Sequence, residues 1–382
     1  MGGSEGEYRP ELIVKRLRKQ AASCAILGSP LYAGLLERSA EDAARRGPVY
    51  DLLKEHASLP SGAALALRFM GAVHRLVLEG RAPDLARFYP SVGGDSDDLE
   101  AAWRAFRDVV AGSAEELRPL LDSAVQTNEV GRAAGLLGGF LEVSRRAERP
   151  LRLLEIGSSG GLNLLWDRFH YDAGPAGTWG PADSPVHLDG FESAPDLGID
   201  ARIAERAGCD PDPIDARSEE GRLTLSSYLW ADQLERWARL QGALDLAGDA
   251  NPPERSGAAE WLRGRLAEVR PGQATVVFHS IVWQYMAPDE QAEVERLIIK
   301  AGERATPDAP VAWLYLEPPA HGDDVSPGHL AGSLDFTAER AAPDDLAEVR
   351  LSLWPGARSK VVAHCGYHGR PVRWFGWDGE KG

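Results

Sequence analysis

The string Leu151–Leu165, LRLLEIGSSGGLNLL, runs from apolar residues through a carboxylate and a glycine-rich bend into a helical pattern. A bend of small residues at a strand end lets the backbone approach a ligand closely and aims helix N-terminal amides at it. Gly157, Gly160 and Gly161 supply the absence of side chain, with Ser158 and Ser159 between them and Asn163 just beyond. Glu155 ends the strand facing the same crevice. The dinucleotide pattern G-x-G-x-x-G is not met, because Ser159 and Leu162 interrupt it. The chemistry implied is close binding of a small ligand beside a carboxylate.

Other groups fall where they can join this bend. Gln126–Arg132, QTNEVGR, precedes a helical run, and Asn128, Glu129 and Arg132 at helical spacing share one face that can turn into the crevice. The alternative is an N-cap network in which Asn128 caps the helix. Ala274–Phe278 ends in His279 and Ser280, and Val311–Leu316 ends in Glu317. A neutral imidazole at a strand terminus makes His279 the first choice for a general base, with His368 and Glu317 as weaker choices from neighbouring termini. Trp283, Tyr285 and Tyr315 are either an aromatic pocket or core. Asp210, in Gly208–Pro213, is an acid at the end of another expected strand; Asp189 or Glu192 replaces it if His187–Glu192 is that strand instead. His364, Cys365 and His368 lie close together but lack the second half of a zinc set, so no metal is expected.

The elements that must position these groups differ between the two halves. From Glu11 to about Ser144, apolar residues recur at three- and four-residue spacing, with prolines near the segment ends, which predicts helices. The acidic turn Gly93–Asp98 precedes one of them. After Pro150, the runs Leu151–Ile156, Ala274–Phe278, Val311–Leu316 and Lys360–Ala363 alternate with helical stretches at Leu162–Arg168, Ser226–Leu246, Ala258–Val269 and Asp289–Ala305. Continuous apolar strands alternating with helices predict an α/β domain with a mostly parallel sheet. A third strand is expected near Glu254–Ser256, and Leu351–Trp377 reads as two closing strands around the Gly366–Gly369 turn. Ala173–Pro195 is a long connection. The division expected is a helical domain over 1–125 and a sheet domain over 126–382.

Composition bounds the function. The 382 residues carry 42 Lys and Arg against 58 Asp and Glu, a net charge of −16. That argues against a protein that grips phosphate backbones; a small-molecule partner, with the helical half as its lid, is expected by analogy alone. There is no apolar run of about 20 residues to span a bilayer and no apolar leader core after Met1–Gly6. Three cysteines, odd in number and far apart, make no disulfide framework. A cytoplasmic protein is expected, with its oligomeric state open.

The bend resembles the first motif of class I S-adenosylmethionine-dependent methyltransferases, acid-x-G-x-G-x-G, with Glu155, Gly157 and Gly161 in place and Ser159 where the middle glycine stands. The resemblance implies a Rossmann-like sheet finished by an antiparallel hairpin, and S-adenosylmethionine as cofactor. The acid then lies near the cofactor's amino group, and an acid suits a sulfonium ligand with a cationic amine better than a diphosphate. It implies that residues 157–161, with Asn163, pass beneath the methionine end, and that Asn128, Glu129 and Arg132 cover it. Asp210 accepts from the ribose hydroxyls, while His279 and Ser280 stand where substrate and catalytic groups sit. The acid that the family often has near the adenine is missing, since Ser256, Gly257 and Ala258 hold those positions. The strings Gln126–Arg132, Glu155–Asp172, Phe278–Ser280 and Tyr367–Gly369 also look like a bacterial family filed as a domain of unknown function (number 2332), which carries no established substrate.

Two other functions compete. Gly157–Gly161 also spells G-x-S-x-G, a hydrolase nucleophile elbow with Ser159 as nucleophile, and Asp335 with His364 or His368 follows in the required order. Against it stand the charge of Glu155, the mainly helical residues ahead of the bend and the missing oxyanion-hole loop. The third is a methyltransferase-like protein that binds without transferring methyl.

Overall fold

The computed structural model describes residues 10–59, 64–319, 335–336 and 346–378. The chain divides into two compact units, residues 1–127 with 219–238, and residues 128–218 with 239–382.

The first unit is helical. Its main helices are Pro10–Ile26, Pro30–Ala44, Leu65–Leu78, Leu99–Gly112 and Ala114–Asp122, joined by Glu219–Ser227 from the second half of the chain. Proline opens Pro30–Ala44, where its missing N–H costs nothing. Asp98 caps Leu99–Gly112, its carboxylate accepting the Ala101 N–H at 2.9 Å. The Ser226–Leu246 stretch, expected as one helix, is two, Glu219–Ser227 and Leu234–Leu246. The break lets Trp230 and Ala231 enter the helical core, and Asp232 accepts from Ser29 Oγ at 2.5 Å and the Leu31 N–H at 2.9 Å. That capping of Pro30–Ala44 from 200 residues away has no local sequence signal.

The second unit holds the sheet. Its principal strands are β1 (Leu151–Ile156), β2 (Ile203–Asp210), β3 (Glu254–Arg255), β4 (Ala274–Ser280), β5 (Val311–Glu317), β6 (Leu346–Trp354), β7 (Arg358–Gly366) and β8 (Val372–Trp374). They lie in the order β3-β2-β1-β4-β5-β6-β7-β8, with Phe191–Ser193 beside β8 and Asp335–Phe336 against β7. Pairing from β3 to β5 is parallel, and β5 to β8 is antiparallel. The chain leaves β1 toward β2 on one side and returns to β4 on the other, so the strand order reverses beside β1. A crevice forms at such a point, outside the carboxyl ends of the strands.

The closing strands differ from expectation. Three antiparallel strands end the sheet, since β6 begins at Leu346 and turns at 355–357 before the expected turn between β7 and β8. The segment 162–168 forms a 3-10 run, and Ala173–Pro195 contributes strands of two residues, Thr178–Trp179 and His187–Leu188, to a small sheet with His170–Asp172. Leu154, Ile156, Val277, Trp313 and Tyr315 build a core on one face of the main sheet. On the other, the helix Arg132–Ala147 stacks Phe140 on Trp166 at 4.5 Å and edge-on to Phe278 at 5.1 Å. Its glycines allow the close approach: a Cβ at Gly135 would stand 2.7 Å from Cys365 Sγ, and one at Gly139 would overlap Leu314.

Candidate functional site

The carboxyl end of β1 turns sharply. Gly157 and Gly161 sit at φ of 65° and 73°, where glycine carries no Cβ penalty. Ser159 occupies the same left-handed region at φ 53°. What holds a non-glycine residue there is visible in its neighbours. The Ser159 N–H donates to Asp210 Oδ2 at 2.9 Å, and the Ser159 carbonyl accepts from the Ile214 N–H at 3.0 Å. Ser158 Oγ donates to the Glu155 carbonyl at 2.9 Å. Asp210 Oδ1 accepts the Asp212 N–H at 2.9 Å. Asp210 thus closes the bend against the end of β2 and is buried there. Asp189 and Glu192 are engaged elsewhere, with Arg239 and Arg370, and with Arg373.

Asn128, Glu129 and Arg132 reach the same place. Asn128 Oδ1 accepts the Leu162 N–H at 2.8 Å, so it caps the run after the bend rather than the helix that follows its own string. The Glu129 carbonyl accepts from Asn163 Nδ2 at 3.3 Å, and Glu129 Oε1 accepts the Gly131 N–H at 3.1 Å. Arg132 donates to the Tyr367 carbonyl at 3.1 Å and the Ser280 carbonyl at 3.2 Å. Gly131 leaves no room for a Cβ against the His368 carbonyl. Strings singled out in the sequence therefore meet: the bend, Asn128–Arg132, the end of β4 and the turn before β8. His368 contributes backbone to this meeting and is half-buried.

Electrostatically the centre is rich in acceptors. Glu155 is 3% exposed and its Oε2 is buried without a hydrogen-bond partner; Asn163 Oδ1 is likewise unpartnered. Burial, and then the charge of Asp210, push the Glu155 carboxyl well above the ordinary carboxylate range. A buried group of this kind is stabilised by a cation or a donor. Among the described residues, no group of three or more His, Cys, Asp or Glu is arranged to hold a metal ion.

The end of β4 departs from expectation. His279 is fully buried, with Nδ1 bonded to Glu317 Oε1 at 2.7 Å and Nε2 accepting the Trp313 indole N–H at 3.2 Å. Both ring nitrogens are occupied in the neutral form, so His279 has no nitrogen free to take a proton from a ligand. The same Glu317 oxygen accepts the N–H groups of Val282 at 2.9 Å and Trp283 at 3.2 Å. Glu317 Oε1 and His279 together brace the loop after β4, while Glu317 Oε2 is buried without a hydrogen-bond partner. Trp283 and Tyr315 stack on His279 at 5.5 and 5.2 Å in the core, and Tyr285 is exposed, so the aromatic pocket does not form. The braced loop carries Ile281 at φ 54°, an unusual value for a β-branched residue, and it seats Val282 on Gly157. A Cβ on Gly157 would overlap Val282 Cγ2. Sequence spacing held no signal for this contact.

Of the two histidines the hydrolase order allows, His364 stands far from Ser159. His364 lies on β7, with β4, β5 and β6 between it and β1, a separation near 19 Å at about 4.8 Å per strand. The side chain of Asp335 lies outside the described residues.

The fold and site define an α/β protein with a large, mostly parallel central sheet and a glycine-rich bend beside a buried carboxylate at the strand-order reversal. The chain belongs to the family described as uncharacterized protein conserved in bacteria (DUF2332), whose profile matches residues 14–374. No curated protein and no solved structure matches it. No helix among the described residues is long and apolar enough to cross a membrane.

Proposed function

We propose that the second unit binds S-adenosylmethionine and transfers its methyl group to a small molecule. One observation carries the reading. Glu155, at the end of the first strand of a sheet that reverses its order beside that strand, has a buried carboxylate oxygen with no partner. The chemistry of the acceptors fits a ligand with an ammonium group. Glu155 would hold that ammonium, with Asn163 Oδ1 as a second unpartnered acceptor. Asp210 spends two of its roughly four lone-pair sites on backbone N–H groups and keeps the rest for ribose hydroxyls. When bound, S-adenosylmethionine supplies an electrophilic methyl group. The chain's part is to position the acceptor and exclude water. With His279 braced at both nitrogens, the reading assigns no base, which suits an acceptor that attacks without losing a proton first.

Isothermal titration with S-adenosylhomocysteine tests it. Micromolar binding weakened about tenfold or more by Glu155→Gln, which keeps shape and removes charge, supports the reading. Absence of saturable binding to the wild type overturns it. A second reading, binding without transfer, is favoured by the occupied His279 and by Val282 seated on Gly157; binding with no methylated product from any acceptor would select it. The left-handed φ of Ser159 is the feature that favours a hydrolase, and fluorophosphonate labelling lost in Ser159→Ala would select that instead.

A further inference from the structure

The glycine bend borders a cleft of about 240 Å³. Gly160 and Gly161 form part of its wall, Leu164 and Pro252 lend it an apolar surface, and Arg168, Arg206 and Arg217 supply its charge. Against these three guanidiniums the lining sets two carboxylates, Asp215 and Glu205, which leaves it positive by one charge in a chain of net charge −16. The present partners of the guanidiniums leave donors over. Arg206 meets Asp167 through Nη2 at 2.6 Å, while its Nε is buried with no partner. Arg217 meets Asp215 through Nε and Nη2, and Arg168 bonds the Leu246 carbonyl at 3.4 Å. Glu205, the remaining acid in the lining, is paired with Arg152 at 2.8 Å and Arg265 at 3.2 Å, neither of which lines the cleft.

We propose that this cleft binds a small molecule that presents an oxyanion, phosphate or carboxylate, on an apolar body. The planar guanidinium fork matches both oxyanions, and the fork atoms of Arg168, Arg206 and Arg217 that their present partners leave over are the donors such an oxygen would meet. The volume lies below the usual range for drug-sized ligands, which limits the occupant to a few rings or less. Binding here does not depend on the methyl-transfer reading. Assigning the occupant as the methyl acceptor does, because the cleft shares Gly160 and Gly161 with the proposed cofactor bend.

Phenyl phosphate, benzoate and phenol are the probes, titrated into the full chain by calorimetry in low salt. Saturable binding of phenyl phosphate or benzoate in the millimolar range or tighter, with phenol inert, is the expected result. The stronger of the two anions identifies the oxyanion. Arg206→Gln should weaken it about tenfold. Because Arg206 also holds Asp167, the rim variant Arg168→Gln serves as a second test and should weaken it several-fold with the fold intact. No saturable binding of either anion, or affinity unchanged in both variants, overturns the proposal. S-adenosylhomocysteine binding without anion binding sinks this inference alone, and the converse sinks the cofactor reading alone.

Discussion

Replacing Gly157 by alanine measures how Val282 occupies the glycine bend. Two separate costs add. Backbone φ of 65° places a Cβ in the left-handed region, at roughly 1–2 kcal/mol. The new methyl also overlaps Val282 Cγ2, an overpacking cost of roughly 1–3 kcal/mol. Gly157→Ala should therefore destabilise the protein by about 2–5 kcal/mol. Val282→Ala removes two methyl groups from a half-buried side chain and should cost about 1 kcal/mol by itself. In the double variant both Cγ atoms are gone, and of the three atoms nearest the new methyl the Cβ of residue 282, 2.9 Å away, is left. The backbone cost stays and much of the steric cost goes, which gives a favourable coupling of about 1–2 kcal/mol. Urea unfolding of the four proteins, with equal slopes, reads this cycle. Additivity within about 0.5 kcal/mol would refute the packing argument, as would a single Gly157→Ala cost under about 1 kcal/mol.

Other expectations follow from buried charge and bracing. Because the Glu155 carboxyl is raised by burial, the native state binds more protons than the unfolded chain above the ordinary carboxylate range, so stability falls as pH climbs through the raised value. Glu155→Gln should abolish that fall, and unfolding free energies measured from pH 4 upward should separate the two proteins only at the higher values. His74 behaves in the opposite sense: burial lowers its pKa from 6.5 to about 4, so stability is full above the unfolded value and drains away as the solution is acidified. The loss approaches about 3 kcal/mol, and an acid titration of wild type against His74→Gln, which should lack that component, checks it. Glu317→Ala strands His279 Nδ1 and two backbone N–H groups, and should cost about 3 kcal/mol or more, while Glu317→Gln, which keeps an oxygen acceptor, should cost distinctly less in the same unfolding assay.

Local sequence carried the elements whose causes are local. Short, mainly apolar runs at Leu151–Ile156 and Val311–Leu316, bounded by turn residues, were legible as covered strands, because a parallel sheet buried on both faces suits such a pattern. Glycines after Glu155 marked the bend, since few other residues accept its backbone angles. Tertiary packing decided the rest. Histidine 279 reads the same in the sequence whether its nitrogens are free or held by Glu317 and Trp313, and only strand register brings those partners alongside. Asn128 was legible as a cap, but which N–H it accepts depended on where the bend came to lie. Val282 against Gly157 and Arg206 beside the cleft join residues far apart in the chain, so no spacing rule could have revealed them. Backbone preference acts over a few residues, whereas the partners of a buried polar atom are chosen by the whole fold.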